Sequence, residues 1–415
     1  MTNQPKIYDA VLGGDNPPPV TAAVLGGIAG VKRRFAAKAI EEKRAALKEA
    51  VNYPHKGGLD ILIQALKDPD SIIQKYAYFL LKDREEVEVK AALIDFNIYQ
   101  LFTCKKTVKG HIHSINSIAF SPTESKLASC GNDGTIKIWD GKLGTEIKTL
   151  TGHTGMVYDL AWTPDGKRLA SGGYDGTVKI WDVQSGTLLG ALTGHTGKVL
   201  GVAVAPGGSG IASCSEDKSI KIWDMNNGTL LHTLRGHAGM VQSVAYSDEG
   251  RQLISGSEDG TIKIWDIGSD TGSRPEPIGL RSVGVRVRRT LRGHDRSVTS
   301  IAIAPINAPS SLPLVASGSW DGYIKIWDAH TGELKRTLTN HNDWVTGVTI
   351  SADGRTLVSC SCDRTIKIID IATGTLRKTL RGHTQRVSGV AISPDGKTIA
   401  SCSRDSTIKI WGIGS

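Results

Sequence analysis

The 415-residue sequence lacks several features that define common protein classes. It has no apolar run of about 20 residues, so no membrane-spanning helix is predicted. Its opening, MTNQPKIYDA, has no basic stretch followed by an apolar core, so no secretory signal is predicted. It also has no phosphate-binding loop, cofactor fingerprint, unique pair of carboxylates or Cys/His cluster at metal-ligand spacing. We therefore expect no catalytic residues, cofactor, metal or small-molecule substrate.

One stretch occurs in seven copies, and its second copy, residues 152–182, reads GHTGMVYDLAWTPDGKRLASGGYDGTVKIWD. A Gly-His or Asn-His pair opens the copies at residues 110, 152, 194, 236, 293, 340 and 382, at intervals of 42, 42, 42, 57, 47 and 42 residues. Each copy has four short β-prone runs separated by turns rich in Gly, Pro and Asp. This pattern predicts a four-stranded antiparallel meander. Because both of its faces are apolar, it is stable only when stacked on its neighbours.

Seven copies that end in Trp-Asp or its remnant resemble the WD-repeat family across residues 98–415. The resemblance implies a mainly β fold, a seven-bladed β-propeller of four-stranded antiparallel blades, preceded here by a small α-helical domain. The seventh copy ends after its third predicted strand, and an unpaired sheet edge would be left exposed. We therefore expect residues 98–108 to supply the closing outer strand of the last blade.

The same resemblance implies a buried hydrogen-bonded tetrad in each copy, running from Trp to Ser to His to Asp. In the second and fourth copies its members are His153, Ser171, Asp175 and Trp181, and His237, Ser255, Asp259 and Trp265. The sixth copy has Ile369 instead of Trp, and its blade is expected to be the least rigid. A Ser, His and Asp trio is also found in hydrolases, but an active site is usually unique. Seven repetitions favour a structural role.

Residues 1–97 have a different composition. Residues 1–30 carry two Leu-Gly-Gly steps around a Pro run and predict an extended strap, and residues 31–97 predict an α-helical module. Within it, LDILIQALKDPDSIIQKYAYFLLKD resembles a HEAT-type helical hairpin. A strap, a HEAT-like module and a propeller together resemble WD-repeat proteins of cyanobacteria. HEAT-like modules in bilin lyases make a light-harvesting partner one alternative, and a simple cap on the propeller is another.

Four of the six cysteines fall at one position of different copies, where the other copies have Gly: Cys130, Cys214, Cys360 and Cys402. That pattern indicates a tight core position for a small side chain and gives no disulfide framework. We expect free thiols in a reducing, cytoplasmic compartment.

The formal net charge of +9 raises the question of an anionic partner. The repeated lysines of Thr-Ile-Lys-Ile-Trp-Asp are scattered around the ring, so binding to nucleic acid is not favoured. Extra residues between 267 and 290 form a predicted bottom loop that contains Arg274, Arg281, Arg286, Arg288 and Arg289. This segment is either a solvated loop or a docking site for an acidic partner or a polyanion such as RNA.

The family resemblance also implies a docking surface, here called the top face, built by the Gly-His and turn-Asp loops. Its predicted contact residues are Met156, Tyr158, Tyr174, Glu216, Glu258, Trp320, Trp344, Arg386 and Arg404. They differ between copies while the frame stays constant, and exposed aromatic and Arg residues are typical interface anchors. Ordinary surface variation is the alternative explanation for any single one of them. The Glu pair and the Arg pair suggest a partner that binds in one orientation.

These features predict a noncatalytic scaffold that binds other proteins in a multiprotein assembly, through the top face and the helical module. Two alternatives remain open. One is an accessory or chaperone protein of a phycobilisome-type light-harvesting complex that acts through the HEAT-like module. The other is binding of a polyanion or RNA by the Arg-rich segment 267–290.

Overall fold

The computed structural model describes residues 27–53, 57–247, 249–268, 285–305 and 314–414. The chain divides into two compact units, Met1–Leu101 and Phe102–Ser415. Most of the predicted strap, residues 1–26, lies outside the described residues. Among the helices that are described, none is long and apolar enough to cross a membrane.

The first unit is helical. Its elements are α1 Gly27–Phe35, α2 Ile40–Ala50, α3 Gly58–Ala65, α4 Ser71–Leu81, α5 Val87–Asp95 and a 3-10 turn at Ile98–Leu101. Asp70 caps α4, since its carboxylate accepts a 2.7 Å hydrogen bond from the backbone N–H of Ile72. Buried Asp68 supports this turn by accepting from the Asp70 N–H at 2.9 Å and from Lys43 Nζ at 2.6 Å. The Asp-Pro-Asp sequence therefore works as a connector that fixes where α4 begins.

Two boundaries in this unit differ from the prediction. Residues 27–30, assigned to the strap, form the first turn of α1, in which Gly30 is buried. The helix then breaks, because Ala39 has extended backbone angles before α2 begins. Residues 98–101 were predicted as the start of a strand. They form the 3-10 turn instead, with Tyr99 and Leu101 buried, so the strand begins at Phe102.

The second unit consists of seven four-stranded antiparallel sheets, the blades. Strand β1, Phe102–Lys109, precedes the first blade. From the innermost strand outward, blade 1 has β2 Ile115–Phe120, β3 Lys126–Gly131, β4 Ile136–Asp140 and β5 Glu146–Leu150; blade 2 has β6 Val157–Trp162, β7 Arg168–Gly173, β8 Val178–Asp182 and β9 Leu188–Leu192; blade 3 has β10 Val199–Val204, β11 Gly210–Ser215, β12 Ser219–Asp224 and β13 Leu230–Arg235; blade 4 has β14 Val241–Tyr246, β15 Gln252–Ser257, β16 Ile262–Asp266 and β17 Arg286–Leu291.

The remaining blades repeat this order. Blade 5 has β18 Val298–Ile303, β19 Leu314–Ser319, β20 Ile324–Asp328 and β21 Leu334–Leu338; blade 6 has β22 Val345–Ile350, β23 Thr356–Ser361, β24 Thr365–Asp370 and β25 Leu376–Arg381; blade 7 has β26 Val387–Ile392, β27 Thr398–Ser403 and β28 Thr407–Ile413, with β1 as its outer strand. The innermost strands contact one another in ring order, and β2 of blade 1 contacts β26 of blade 7. The second unit is thus a closed seven-bladed β-propeller.

Strand β1 closes the ring by pairing antiparallel with β28, from Phe102 opposite Ile413 to Lys109 opposite Thr407. Each of the first six sequence copies therefore supplies one whole blade, and the seventh supplies three strands of a blade whose outer strand comes from before the first copy. The apolar core lies between blades. One cluster, for example, joins Ile136, Ile138 and Leu150 of blade 1 to Leu169 and Trp181 of blade 2. Burial between blades explains why a single meander cannot fold alone.

Three of the four buried cysteines follow one packing rule, and the fourth, Cys130, lies opposite Ser117. In blades 3, 6 and 7, the Cys on the second strand lies opposite a Gly on the inner strand, as Cys214 lies opposite Gly201. A Cβ added to Gly201 would lie 2.8 Å from Cys214 Sγ. In blades 2, 4 and 5 the second strand has Gly, and the inner strand carries Asp159, Ser243 or Ser300. Each of these pairs therefore combines one side chain with one glycine.

Candidate functional site

In six blades the tetrad residues form the same hydrogen-bond network, one network in each blade. Trp Nε1 donates to Ser Oγ at 2.8–2.9 Å, His Nε2 lies 2.8 Å from the same Oγ, and His Nδ1 lies 2.7–3.0 Å from an Asp oxygen. In blade 2 these residues are Trp181, Ser171, His153 and Asp175. In blade 4 they are Trp265, Ser255, His237 and Asp259. Blade 6 keeps Ser359, His341 and Asp363 at 2.8 Å separations, with buried Ile369 in the Trp position.

The protonation states follow from this geometry. A neutral His that donates from Nδ1 to the Asp accepts the Ser proton at Nε2, while the Trp donates to that Ser. Burial raises the pKa of Asp175, but hydrogen bonds from Thr177 and His153 outweigh it and lower that pKa to about 2. Burial also lowers the pKa of His153, although its hydrogen bond to Asp175 opposes the change. The network therefore pairs a neutral His with a charged Asp.

This trio has no route to hydrolase chemistry. Ser171 and Ser255 are fully buried, and each Oγ is already held between an indole N–H and an imidazole. A nucleophilic Ser needs an exposed Oγ beside donors for an oxyanion. Within the described part of the chain, no group of His, Cys, Asp and Glu side chains could hold a metal ion. The tetrads tie the second and third strands of a blade to its top loops.

A β-bulge lies at the start of the inner strand of every blade, and its extra residue in blade 2 is the predicted contact residue Tyr158. In every blade the register between the inner and second strands shifts after the first inner-strand residue, which leaves one extra residue, such as Tyr158 between Val157 and Asp159. Bulges redirect the side chain of the extra residue. A second repeated bond brings the other two positions together, as the Tyr174 N–H donates to the Met156 carbonyl at 2.8 Å. Each blade thus presents three adjacent, variable side chains.

Blades 2 and 3 bring one group of predicted residues together. Tyr174 is 52% exposed and Met156 is 38% exposed, and the Tyr158 hydroxyl lies 3.8 Å from Met156 Sδ. Lys198 Nζ lies 5.2 Å from the Tyr174 ring centroid and forms a 3.3 Å ion pair with Glu216. The Glu216 charge is therefore compensated within the chain. Glu258 on blade 4 is exposed, so the predicted pair of Glu residues is not equivalent.

Blades 5 to 7 bring together the second group. The rings of Trp320 and Trp344 stack with centroids 4.8 Å apart and an interplanar angle of 20°. The Cys362 N–H donates to the Trp344 carbonyl at 2.9 Å, and the Cys362 thiol lies close to Arg386 and Arg404. The Arg404 N–H donates to the Arg386 carbonyl at 3.1 Å. A continuous aromatic and cationic surface therefore runs from blade 5 to blade 7.

The arginines of the predicted bottom loop are not together in a loop. Arg286, Arg288 and Arg289 lie in β17, the outer strand of blade 4, which pairs with β16. The register explains this placement, because Thr290-Leu291 occupies the position of Thr337-Leu338 in blade 5. Arg274 and Arg281 lie outside the described residues. An alignment of the outer-strand Thr-Leu pairs in the sequence could have separated strand from insertion.

The repeated lysines are also less accessible to an anionic partner than the sequence suggested. Four of them, Lys179, Lys221, Lys325 and Lys367, are buried, and in six blades the Lys Nζ donates to a Thr of the outer strand or, in blade 7, of β1. Exposed cations lie instead on outer strands. A second bulge there places one extra residue in each outer strand: Ile147, Leu189 and Leu231 on blades 1 to 3, and Arg288, Lys335, Arg377 and Lys105 on blades 4 to 7. The rim thus has an apolar part and a basic part.

A closed propeller with a buried repeated frame and variable loop positions is typical of interaction domains. The family model of the WD domain, G-beta repeat, matches residues 102–140, 144–182, 186–224, 228–266, 285–328, 332–370 and 374–412, which together make up more than half of the chain. The chain belongs to this family.

Curated relatives match over a short stretch. The nuclear distribution proteins PAC1 of the fungi Arthroderma benhamiae and Trichophyton verrucosum are each 51% identical to this chain over 74 residues. PAC1 of Coccidioides posadasii is 47% identical over 74 residues. The match covers 17% of this chain and 16% of each relative. It is too short to transfer the role of a whole protein.

Proposed function

We propose that this chain is a noncatalytic scaffold that binds other proteins on the top face of its propeller and works within a multiprotein assembly in the cytoplasm. One observation carries the proposal. The buried frame repeats from blade to blade, whereas the bulged and neighbouring top positions differ and include the stacked pair Trp320 and Trp344. Trp344 remains 38% exposed, and partly exposed aromatic side chains supply much of the binding energy of protein interfaces.

Affinity purification of the tagged full-length protein from its native cells, with quantitative mass spectrometry, tests this proposal. We expect the Trp320→Ala/Trp344→Ala variant to lose most of one specific partner. Leu334→Ala, which removes a 40% exposed side chain from the outer strand of blade 5, is the matched control and should keep it. Equal recovery of every partner by the wild type and the double Trp variant would contradict top-face docking.

The helical unit is proposed as a second protein-binding surface. Helix α4 exposes Ile72 and Phe79, which are 50% and 40% accessible. The α3–α4 hairpin is the segment that resembles a HEAT unit. Loss of a partner in Ile72→Asp/Phe79→Asp, with retention in the double Trp variant, would assign that partner to this unit. The light-harvesting alternative gains no support from the comparisons, whose named relatives are fungal nuclear distribution proteins.

Polyanion binding remains a second candidate because of the basic part of the rim. The outer strands of blades 4 to 7 carry eleven Lys and Arg residues and no acidic residue: Arg286, Arg288, Arg289, Lys335, Arg336, Arg377, Lys378, Arg381, Lys105, Lys106 and Lys109. Several are already engaged, since Arg289 and Arg336 donate to backbone carbonyls of the next blade at 2.9 and 2.8 Å. Binding of a uridine oligonucleotide that weakens steeply as salt rises would support this function. Binding that does not depend on salt would exclude it.

A further inference from the structure

The top of blade 7 carries two cations that no carboxylate neutralises. Arg386 and Arg404 are adjacent, and neither forms an ion pair within the residues that the structure describes. Arg386 is partly buried, and its Nε is buried without a hydrogen-bond acceptor. The Oγ of Ser388, two residues further along the chain, is also buried without a partner. Unpaired buried polar atoms cost free energy, and a ligand that pairs the guanidinium groups recovers part of it.

Three carboxylates of the top loops of blades 6 and 7, Asp405, Asp363 and Asp343, form no ion pair with Arg386 or Arg404. Asp405, next to Arg404 in sequence, accepts hydrogen bonds from His383 at 2.9 Å and from Thr407 at 2.5 Å. Asp363 is held in the same way by His341 and Thr365. Asp343 accepts from the Trp344 N–H at 2.8 Å. The positive potential at Arg386 and Arg404 is therefore left for an external anion.

The chemistry around the Arg pair restricts the kind of anion. Cys362 lies close to Arg386 and donates its N–H to the Trp344 carbonyl, and Trp344 is stacked on Trp320 and is 38% exposed. A small inorganic anion would use only the guanidinium groups. A peptide that carries carboxylates next to an apolar side chain would use both the cations and the indole surface.

We propose that blades 6 and 7 bind an acidic peptide segment of a partner protein, with its carboxylates on Arg386 and Arg404 and an adjacent apolar side chain on Trp344. This assignment rests on the proposed top-face docking and adds the partner's chemistry to it. The cationic pair and the exposed indole lie on neighbouring blades, so one short extended segment is sufficient to contact both.

Fluorescence anisotropy with the full-length protein tests this assignment. The probe is a fluorescein-labelled peptide, Glu-Glu-Leu-Glu-Glu-Leu-Glu, and its comparison is the same peptide with Gln at every Glu position. We expect Arg386→Gln/Arg404→Gln to weaken binding of the acidic probe by at least ~10-fold and Trp344→Ala to weaken it by a few fold. The matched control is Lys167→Gln/Lys397→Gln, which removes the same charge from exposed turns at the opposite ends of the strands and should change binding less than ~2-fold.

Equal binding of the acidic probe by the wild type and the double Arg variant, or equal binding of the Glu and Gln peptides, would overturn the assignment. A uridine heptanucleotide that binds more tightly than the peptide, with the same dependence on Arg386 and Arg404, would overturn it in favour of nucleic acid. The scaffold proposal fails separately, since its test is loss of a cellular partner in the double Trp variant. Arg-dependent peptide binding alongside unchanged partner recovery would leave the acidic site standing and reject the scaffold dock.

Discussion

Blade 6 differs from the other six blades at two positions, the opening residue and the Trp position, which pack together in the Trp blades. The six Trp blades open with Gly, and a Cβ added to Gly194 or Gly293 would lie 3.1 Å from Cη2 of Trp223 or Trp327. In blade 6, Asn340 replaces this Gly and Ile369 replaces the Trp. The shorter side chain leaves room for the larger opening residue, and Ile369 is fully buried.

The comparison teaches that the opening residue and the Trp form one packing unit, separate from the Ser, His and Asp network. Blade 6 keeps His341 at 2.8 Å from both Ser359 Oγ and Asp363 Oδ2 although no indole donates to Ser359. The hydrogen bonds among Ser, His and Asp are therefore kept when the Trp indole N–H is missing. The Gly and the Trp cannot be exchanged one at a time without a clash or a cavity.

Acid should have the largest effect, because it acts on what all seven blades share. Hydrogen bonds outweigh burial and hold the pKa of Asp175, Asp217, Asp259 and Asp405 at about 2, and burial lowers the pKa of His153, His195, His237 and His383. Both kinds of group bind protons more readily in the unfolded chain, so stability is present above about pH 6.5 and is lost as pH falls toward 2. Urea unfolding midpoints measured from pH 7 to pH 3 should fall steadily. Asp259→Asn should flatten this dependence, and a flat wild-type profile would contradict it.

Replacing a Trp in a Gly blade should have the next largest effect. Trp139→Ile removes the indole donor to Ser129 and leaves a cavity beside Gly110, so we expect a loss of ~3 kcal/mol in the free energy of unfolding. The double variant Gly110→Asn/Trp139→Ile copies the pair found in blade 6 and should recover part of that loss, because neither Gly110 nor Asn340 has a positive φ. Urea unfolding followed by tryptophan fluorescence measures both. A double variant no more stable than the single one would refute the pairing.

Overpacking the same contact should cost somewhat less. In Gly110→Asn the added side chain meets Trp139, whose Cη2 would overlap the new Cβ, so we expect a loss of ~2 kcal/mol. Asn340→Gly in blade 6 is the matched change in the opposite direction and should cost less than ~1 kcal/mol, since it removes an amide nitrogen that is buried without a hydrogen-bond partner. Thermal unfolding of the two variants side by side checks the order. If both were equally destabilising, the contact with Trp would not explain the Gly.

The smallest effect should come from a turn residue of blade 6. Arg364 has a left-handed backbone with φ of 68°, at the turn position where blade 2 has Gly176 with φ of 72°. Because glycine adopts this conformation without a steric cost, Arg364→Gly should stabilise the protein by ~1 kcal/mol. Gly176→Ala in blade 2 should destabilise it by a similar amount. A calorimetric comparison of melting temperatures would show the opposite signs, and equal signs would count against the explanation.

The repeats made the fold and its frame predictable because each structural rule was written seven times. The positions of Trp, Ser, His and Asp can be identified in every copy, because the seven copies within this one chain can be aligned with one another. Comparing the seven copies also shows that Asn340 and Ile369 replace Gly and Trp in the sixth copy, and that Cys214 and Gly201 both vary between copies. The relations within these pairs join positions on neighbouring strands, so they become visible only with the register.

The residues that sequence reasoning misplaced lie where the repeat is interrupted. The insertion after Ile267 shifted the apparent frame, so Arg286, Arg288 and Arg289 were counted with a loop although they continue a strand. The ionic partners of charged residues could not be predicted from the sequence either. The compensation of Glu216 by Lys198 and the burial of Lys221 depend on side chains that meet across strands.

The pairing of β1 with β28 has a consequence for how the protein is made on the ribosome. The two partners are separated by about 300 residues, so β1 leaves the ribosome ~15–60 s before its partner at usual rates of synthesis. During that interval the half-built ring has two open sheet edges, and such edges invite pairing with other nascent chains. The cations of β1, Lys105, Lys106 and Lys109, discourage that pairing because like charges on a second copy repel it. The charges of β1 therefore help to keep this strand unpaired until β28 has been synthesised.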